Sequence, residues 1–351
     1  MDSRTGNASE IEKRTLTVMI PAYNEADSIA DTIHSLRQQT IIPDEIVVID
    51  DCSTDATAEV ASALGVTVRR PARNTGSKAG AQTFALADVR TDLVMALDAD
   101  TTLAVDAIEQ LLPAFADPEV TAACGTVLPR HVGTLWERGR YIEYMLAFGF
   151  FKRVQDQYDK PLISSGCFSI YRTDELRALG GWSARTMAED MDLTWTIYEA
   201  GKKVRFLSAA VAYPIEPHSF AFLSKQLRRW SHGFIQNVRL HKRSLAHLGY
   251  LRSTIAVAFW DALLASFAYL LLIPVLAAAV DPLILLAYLI DAPVVMVPVL
   301  WQAVERREVG RALASLPSFF VLRVVNGAFM IRALWNELIA GRPLLVYEKG
   351  H

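Results

Sequence analysis

Leu93-Val94-Met95-Ala96-Leu97-Asp98-Ala99-Asp100 decides the fold: five apolar residues are followed by two acids that one alanine separates. A short apolar run bounded by polar residues is typical of a strand buried on both faces of a sheet. Because residues two apart on a strand project to the same side, we expect the Asp98 and Asp100 carboxylates to lie together at the strand end. Two hard oxygen ligands there suit Mg²⁺ or Mn²⁺, although such a pair of acids also occurs by chance in many proteins.

Apolar runs of the same kind alternate with helical stretches from Leu16 to about Tyr213. The predicted strands are 16–21, 45–50, 66–69, 92–97, 120–128 and 168–171. The predicted helices between them include 25–37, 55–64, 77–88 and 105–115. This alternation predicts βαβ units, and therefore an α/β domain with a mainly parallel sheet whose ligands bind beyond the C-terminal strand ends.

Composition excludes several classes of protein. A net charge of −3 argues against a general nucleic-acid binder. Cys52, Cys124 and Cys167 lie far apart without a zinc-ligand spacing, so we expect reduced cysteines in a cytosolic domain. Residues 1–14 are polar and have no apolar core, which predicts a flexible tail rather than a secretory signal peptide.

The composition changes after Tyr213. Residues 219–252 contain seven Lys or Arg residues and no acid, with aromatic residues and leucines between them. This combination favours helices that lie on an anionic membrane face. The competing interpretation is a solvated basic helix of a soluble domain.

Two long apolar runs follow the basic stretch. The run 253–280 has Asp261 as its only charged residue, and the run 282–304 has only Asp291. Each exceeds the roughly 20 residues that cross a bilayer core, so we predict a transmembrane hairpin whose ends are both cytosolic. The two aspartates are expected to face protein or a polar path, because a charge that faces lipid is costly.

A third apolar run, 313–339, is interrupted by Arg323 and Arg332, so it is either a third span or a helix at the membrane interface. The predicted organisation is a tail, an α/β domain, interfacial helices, a membrane region with two or three spans, and a second tail. The corresponding ranges are 1–14, 15–217, 218–252, 253–340 and 341–351.

Acidic residues also follow two other predicted strands. No G-x-G-x-x-G pattern follows the first strand, which argues against a dinucleotide-binding domain. Asp50-Asp51 ends the second strand, where a carboxylate can accept hydrogen bonds from a nucleobase or a ribose. Helix capping by the residues that follow is the alternative.

Two further patterns lie downstream. Glu189-Asp190 opens a helix, where a carboxylate either acts as a general base or only complements the helix dipole. Gln226, Arg229 and Trp230 share one helix face. An arginine suits a diphosphate and an indole suits a sugar ring, whereas an amphipathic surface helix with a buried tryptophan is the alternative.

Taken together, these stretches resemble the family 2 glycosyltransferases, in particular the branch that makes cellulose, chitin, hyaluronan and poly-N-acetylglucosamine. The resemblance covers about residues 16–240. Its pieces, in chain order, are Pro21-Ala22-Tyr23-Asn24-Glu25, Asp50-Asp51, Lys78 within Gly76-Ser77-Lys78-Ala79-Gly80-Ala81, Asp98-Ala99-Asp100, Ser165-Gly166, Glu189-Asp190 and Gln226-x-x-Arg229-Trp230.

The resemblance implies a GT-A (Rossmann-like) fold and a role for each matching residue. It implies metal ligands at Asp98 and Asp100 and a catalytic base at Asp190 beside Glu189, while the neighbouring Asp192 does not match. It implies acceptor contacts at Trp230 and Gly166. The implied contacts of the UDP-sugar donor are Ala22, Tyr23, Glu25, Asp51, Lys78, Asp98, Gln226 and Arg229.

The implied function is metal-dependent, inverting transfer from a UDP-sugar that extends a β-linked glycan at the cytosolic face of the plasma membrane. Transfer of one sugar to a polyprenyl phosphate or diacylglycerol is the alternative, and a catalytically silent membrane protein is a third. The Q-x-x-R-W motif favours extension of a glycan. The expected partners are the donor, a glycan or lipid-linked acceptor and membrane lipids, without nucleic acid.

Several points stay open at the level of sequence. We expect no span ahead of the α/β domain and find no counterpart of the gating loop of cellulose synthase. Two or three spans are few for a polymer channel, so a homo-oligomer or an export partner is left open, as are the sugar, the linkage and the acceptor.

Overall fold

The computed structural model describes residues 14–260, 264–290 and 292–346. The described chain divides into two compact units. The first contains residues 14–130 and 153–215, and the second contains residues 131–152 and 216–346. The expected tail at 1–13 and the expected surroundings of Asp261 and Asp291 lie outside the described residues. The five-part division remains a prediction, and it does not anticipate that 131–152 belongs to the second unit.

Strands and helices alternate through most of the first unit, and helices make up the second. The strands are β1 Leu16–Ala22, β2 Glu45–Asp50, β3 Thr67–Arg69, β4 Leu93–Leu97, β5 Thr101–Leu103, β6 Val120–Val127, β7 Phe168–Arg172 and β8 Lys203–Pro214. The helices are α1 Ile29–Arg37, α2 Thr57–Ala63, α3 Lys78–Leu86, α4 Ala107–Leu111, α5 Leu135–Leu146, α6 Lys152–Asp156, α7 Thr173–Ala178, α8 Glu189–Glu199, α9 Phe220–Leu240, α10 Lys242–Leu245, α11 Gly249–Trp260, α12 Ile273–Ala279, α13 Ala292–Glu305 and α14 Val309–Leu334. Segments of 3-10 helix lie at Leu112–Ala116 and Pro282–Leu289, and π-helical segments lie at Ala147–Phe151, Ala268–Leu272 and Trp335–Ile339.

The eight strands form one sheet in the order β3-β2-β1-β4-β7-β6-β8-β5. The pairs β2–β3, β1–β2, β1–β4 and β6–β8 are parallel, whereas β7 runs antiparallel to both β4 and β6. The α/β class and all six predicted strands are confirmed, and the sheet is mixed because β7 and β5 reverse direction. The strands β5 and β8 were not predicted.

The core of the first unit explains why β4 lies at the centre of the sheet. All five β4 residues are buried, since helices cover both faces of a largely parallel sheet. Ile29, Ile33 and Leu36 of α1 are wholly buried in the same cluster as Leu93 and Leu97. Each such side chain stabilises the fold by about 1.5–3 kcal/mol when it is removed from water. This packing holds the end of β4 in place.

Long apolar helices dominate the end of the second unit. Pro282–Glu305 and Val309–Ile339 are long and apolar enough to cross a membrane, on length and composition alone. The first predicted span, 253–280, includes residues 261–263, which lie outside the described part of the chain. Its described part contains α11 and α12, which are shorter helices.

Candidate active site

Asp98 and Asp100 lie on a turn that directly follows β4. The strand β4 ends at Leu97, and the backbone N–H of Thr101 donates to the Asp98 carbonyl at 3.1 Å. Strand alternation therefore does not set the direction of the two side chains, and their shared side remains a prediction. Ala99 is nevertheless buried, while the acids on either side of it are partly exposed.

Lys78 joins Asp98 to the start of β7. Its Nζ atom forms an ion pair with Asp98 and donates to the carbonyl of Gly166 at 2.9 Å. Lys78 is the first residue of α3, whose N-cap Ser77 accepts a hydrogen bond from Gly80 N–H. Because β7 runs antiparallel to β4, its start lies beside the end of β4, and this places Gly166 within reach of the lysine.

Gly166 in turn binds Asp190. Its N–H donates to Asp190 Oδ2 at 2.9 Å, and the N–H of Met191 donates to Oδ1 at 2.9 Å. Both carboxylate oxygens are thereby oriented at the first turn of α8, next to the partly exposed Glu189. A continuous chain of polar contacts therefore runs from Asp98 through Lys78 and Gly166 to Asp190.

Asp192 has entirely different surroundings. It is 1% exposed, and it accepts hydrogen bonds from Arg185 Nε at 2.8 Å and Nη2 at 2.7 Å. This bidentate contact raises the pKa of Arg185 above its usual value. The buried ion pair occupies the Asp192 carboxylate, whereas Asp190 is partly exposed.

The residues predicted for the nucleotide lie at the ends of β1 and β2. Ala22 is buried and its carbonyl accepts from Asp51 N–H at 2.8 Å, while Tyr23 is exposed. Asp51 is buried, and both of its carboxylate oxygens accept hydrogen bonds from Thr75, one from the N–H at 2.8 Å and one from Oγ1–H at 2.9 Å. The Glu25 carboxylate accepts from Ser28 Oγ–H at 2.7 Å. The structure thus gathers these four predicted residues at one edge of the sheet.

The residues at this edge also make contacts and adopt backbone angles that the sequence does not predict. Asp50 is wholly buried and forms an ion pair with Arg70 at 2.9 Å. Asn24 and Cys52 adopt positive φ angles of 54° and 64°, which is uncommon for residues other than glycine. Thr75 and Arg70 lie in irregular segments without sequence periodicity, so no local signal connects either of them with the aspartate that it binds.

Gln226, Arg229 and Trp230 lie on α9 in the second unit. The Oε1 atom of Gln226 accepts from Arg140 Nη2 at 2.7 Å, and the Arg140 guanidinium carbon lies 4.5 Å from the centre of the Trp230 ring. Gln226 and Trp230 therefore contact the same residue, as their predicted common face requires. Arg229 is partly buried on the same helix.

The two carboxylates of the turn suit a hard divalent cation. Among the described residues, no group of three or more His, Cys, Asp or Glu side chains forms a metal-binding cluster. Asp98 and Asp100 supply oxygen ligands, which Mg²⁺ and Mn²⁺ prefer, and Asp98 already pairs with a cationic side chain. These two side chains thus offer ligands of the kind that such an ion takes, and a bound ion would need further ligands beyond them.

Comparison with known proteins identifies the class. Residues 17–180 match the model of the family described as Glycosyl transferase family 2. A poly-beta-1,6-N-acetyl-D-glucosamine synthase of Staphylococcus aureus (strain MSSA476) is 27% identical over 231 residues, which cover 65% of this chain and 56% of the relative. The synthase of the same name from Staphylococcus epidermidis is 25% identical over 228 residues, which cover 62% of this chain and 54% of the relative.

A solved structure shows the same architecture. It is a mannosyltransferase from Pyrobaculum calidifontis in complex with GDP-Man and Mn²⁺, with a TM-score of 0.62, 20% identity and coverage of 93% of this chain and 88% of that one. At this identity the likeness shows the fold. Residues 17–180 therefore form a family 2 glycosyltransferase domain, the fold is of the GT-A type, and the resemblance seen in the sequence is confirmed. The chain spans little more than half the length of the curated relatives that it matches.

Proposed function

We propose that this chain transfers a sugar from a UDP-sugar to a growing β-linked glycan, with inversion at the anomeric carbon. UDP-N-acetylglucosamine is the first donor to test, because the curated relatives are named for a polymer of N-acetylglucosamine. UDP-glucose is the second. The chain of contacts from Asp98 through Lys78 and Gly166 to Asp190 carries the proposal, because it joins a donor-side carboxylate to the candidate base.

Asp190 acts as the general base in this proposal. Its carboxylate takes the proton from the acceptor hydroxyl as that oxygen forms a bond to the anomeric carbon. The bond from the anomeric carbon to the diphosphate oxygen breaks, and its electron pair leaves with UDP. One displacement inverts the configuration, so the reaction needs a single base and no covalent glycosyl intermediate.

Cationic and polar groups hold the departing diphosphate. Lys78 brings a positive charge to the turn, and Arg229 and Gln226 are the proposed contacts of the diphosphate on α9. The carboxylates of Asp98 and Asp100 would hold Mg²⁺ or Mn²⁺, which when bound offsets the negative charge of the leaving group. Ala22, Tyr23, Glu25 and Asp51 are the proposed contacts of the nucleoside, whereas Trp230 and Gly166 are proposed for the acceptor.

The site works at a membrane in this proposal. Two described helices are apolar and long enough to cross a bilayer, and basic residues fill the segment before them. Positive charge is enriched on cytosolic flanks, and nucleotide sugars are supplied in the cytosol. We therefore place the sugar-transfer domain on the cytosolic face of the cell membrane, where a glycan or a lipid-linked acceptor can approach.

A donor screen tests the proposed reaction. The full chain in detergent is incubated with Mg²⁺ or Mn²⁺ and with UDP-N-acetylglucosamine, UDP-glucose or GDP-mannose, and nucleotide release is measured. The expected result is metal-dependent UDP release from one UDP-sugar, with little release of GDP. Preferential GDP release would overturn the choice of donor, and no release from any donor would favour a catalytically silent protein.

Product size separates polymerisation from single transfer. With radiolabelled donor, a ladder of products supports glycan extension. A single product that partitions into organic solvent would overturn extension in favour of transfer to a polyprenyl phosphate or a diacylglycerol. Digestion of the ladder by a hydrolase specific for β-linked N-acetylglucosamine provides a check on the linkage.

A further inference from the structure

A fully buried arginine, Arg140, lies at the centre of the second unit. It belongs to α5, and its side chain is 0% exposed. Its Nη1 atom binds the Glu143 carboxylate and its Nη2 atom donates to Gln226 Oε1 at 2.7 Å. The guanidinium also lies over the Trp230 ring at 4.5 Å. One side chain therefore contacts two members of the Q-x-x-R-W motif.

Carboxylates keep this arginine charged. Burial alone would lower the pKa of Arg140, but the charges of Glu143 and Glu216 outweigh burial and raise it above its usual value. Glu216 Oε2 lies 3.8 Å from Arg140 Nε, and Glu216 Oε1 accepts from Tyr144 Oη–H at 2.7 Å. The guanidinium is thus a permanent cation with fixed neighbours, which is the condition for a rigid support.

The backbone of α5 is also fixed in place. A Cβ atom at Gly139 would lie 3.0 Å from Leu322 Cβ and 3.1 Å from the Ser318 carbonyl oxygen, so α5 and α14 approach as closely as a glycine allows. Asn326 of α14 donates to Glu143 Oε1 at 3.0 Å. Packing and hydrogen bonds therefore hold the helix that carries Arg140.

We propose that Arg140 is a positioning residue that orients the Gln226 amide and supports the Trp230 ring for sugar transfer. A guanidinium has donors and no acceptor, so only the carbonyl oxygen of the Gln226 amide can face it, and this fixes the direction of the amide NH₂ group. The cation over the indole face restricts rotation of the ring. The inference rests on the proposed function, because that function gives Gln226 and Trp230 their roles.

Arg140→Lys is the test variant, since an ammonium keeps the charge but lacks the planar fork that contacts several partners. The first measurement follows Trp230 itself and does not depend on activity. Acrylamide quenching of tryptophan emission is compared between each protein and its Trp230→Phe counterpart, which isolates Trp230 from the other tryptophans. The expected result is stronger quenching of Trp230 in Arg140→Lys, while unchanged quenching would overturn the proposal.

The matched control is Arg172→Lys. Arg172 lies 5.5 Å from the centre of the Phe115 ring and donates to the backbone carbonyls of Val120, Phe115 and Asp117. It belongs to β7 in the first unit and has no role in the proposed chemistry. Its replacement is expected to leave Trp230 quenching and transfer unchanged.

Glu143→Gln takes the place of Arg140→Lys if that variant does not fold. Glu143 binds the Nη1 side of the guanidinium, whereas Gln226 binds the Nη2 side. Loss of this anchor is expected to increase Trp230 quenching in the same direction but by less. A folded Glu143→Gln protein with wild-type quenching would overturn the proposal.

The second measurement is kinetic. Arg140→Lys is expected to lower kcat about tenfold or more through misplacement of the motif, with a donor KM close to the wild-type value. Its effect and that of Gln226→Ala are expected to be non-additive, since residues that act together fail additivity. Additive losses that follow the melting temperature would reduce Arg140 to a structural role.

Wild-type protein without UDP release would contradict the proposed function, whereas the Trp230 measurement tests the role of Arg140 separately.

Discussion

The acids Asp190 and Asp192 open the same helix, yet their carboxylates have opposite surroundings. Asp192 is buried and held by both arms of Arg185. Asp190 accepts only backbone N–H groups in the contacts described above, which orient its carboxylate without neutralising it. The difference in neighbours separates a structural acid from a candidate base, although the sequence places them only two positions apart.

Asp190→Asn is expected to abolish transfer while UDP binding stays close to that of the wild type. Loss of a general base lowers a rate by about 10²–10⁴-fold, and the amide keeps the size of the side chain. UDP release gives the rate and calorimetric titration gives the Kd of UDP. Asp174→Asn, at an almost fully exposed position, is the control. Full activity in the Asp190 variant would refute the assignment of the base.

Gly166→Ala is expected to reduce transfer with little effect on folding. A Cβ atom at this position would lie 3.0 Å from Asp190 Oδ2 and 3.2 Å from its Cβ, so the base has to shift by a few tenths of an ångström. We expect a fall in kcat of about tenfold or more. Gly310→Ala provides the control, because a Cβ there meets nothing within 4 Å. Equal kcat values for the two variants would contradict the placement of Asp190 by Gly166.

Sequence reasoning found the acids of the site more readily than the residues that hold them. Asp98, Asp100 and Asp190 stand out because they follow an apolar run or open a helix. Thr75, Arg70 and Arg140 do not, because their partners are brought close only by the folded chain. Lys78 was found through the resemblance, but its shared contact with Asp98 and Gly166 depends on the start of β7.

At the scale of the element, the start of α5 is fixed by a capping box. Thr134 Oγ1 accepts from Glu137 N–H, and the Glu137 carboxylate accepts from the N–H groups of Thr134 at 2.8 Å and Gly133 at 2.9 Å. Burial alone would raise the pKa of Glu137, but these hydrogen bonds outweigh burial and lower it. The capped helix carries Arg140, so its stability bears on the Q-x-x-R-W motif.

Glu137→Gln is therefore expected to lower the melting temperature at pH 7 by about 2 °C, from a loss of about 1 kcal/mol. A carboxylate whose folded pKa is depressed stabilises the protein above its unfolded pKa, near 4.3, and loses this effect as the pH falls through the folded value. The gap between the variant and the wild type should thus close below about pH 4. Glu59→Gln, on the exposed surface of α2, is the control, and a gap that is constant with pH would contradict the prediction.

Strand prediction succeeded where a strand is apolar throughout and failed where its partners define it. The strand β4 is evident from its composition, while β5 has three residues and is formed by pairing with β8. The direction of β7 is equally hidden, since a strand has the same residue pattern in either direction. Long-range pairing therefore decides the mixed sheet and, with it, the position of Gly166.

At the scale of the whole molecule, the contacts of α14 bear on whether the third apolar run crosses the membrane. The helix is long and apolar enough to span a membrane, yet its polar partners lie along α5 and α9. Asn326 binds Glu143, and Glu337, which follows α14, binds His232 Nδ1 at 2.7 Å. Because carrying such groups through hydrocarbon is costly, we expect 309–339 to lie at the membrane interface rather than cross it.

Cysteine accessibility checks this topology. Gly310→Cys and Arg342→Cys are made in a chain whose three native cysteines are replaced, and sealed inside-out vesicles are treated with an impermeant thiol reagent. An interfacial helix predicts that both positions react from the cytosolic side. Reaction of only one of them would show that the segment spans the bilayer. A cysteine in place of Asp174, in the first unit, serves as the reference for the cytosolic side under the proposed topology.

Residues 131–152 belong to the second unit, and this bears on how the enzyme can be divided into stable fragments. A fragment that stops at Ile215 keeps α5 but loses Glu216 and Gln226. The Arg140 cation and an apolar face of α5, which are buried in the full chain, would then be exposed to water. Such a fragment is expected to aggregate during expression, even though it contains every strand of the sheet. A polar linker that joins Arg130 to Arg153 should yield a soluble α/β module without the Q-x-x-R-W residues, and size-exclusion chromatography of the two fragments would compare them. The module is thus defined by an internal deletion of residues 131–152 as well as by a truncation after Ile215.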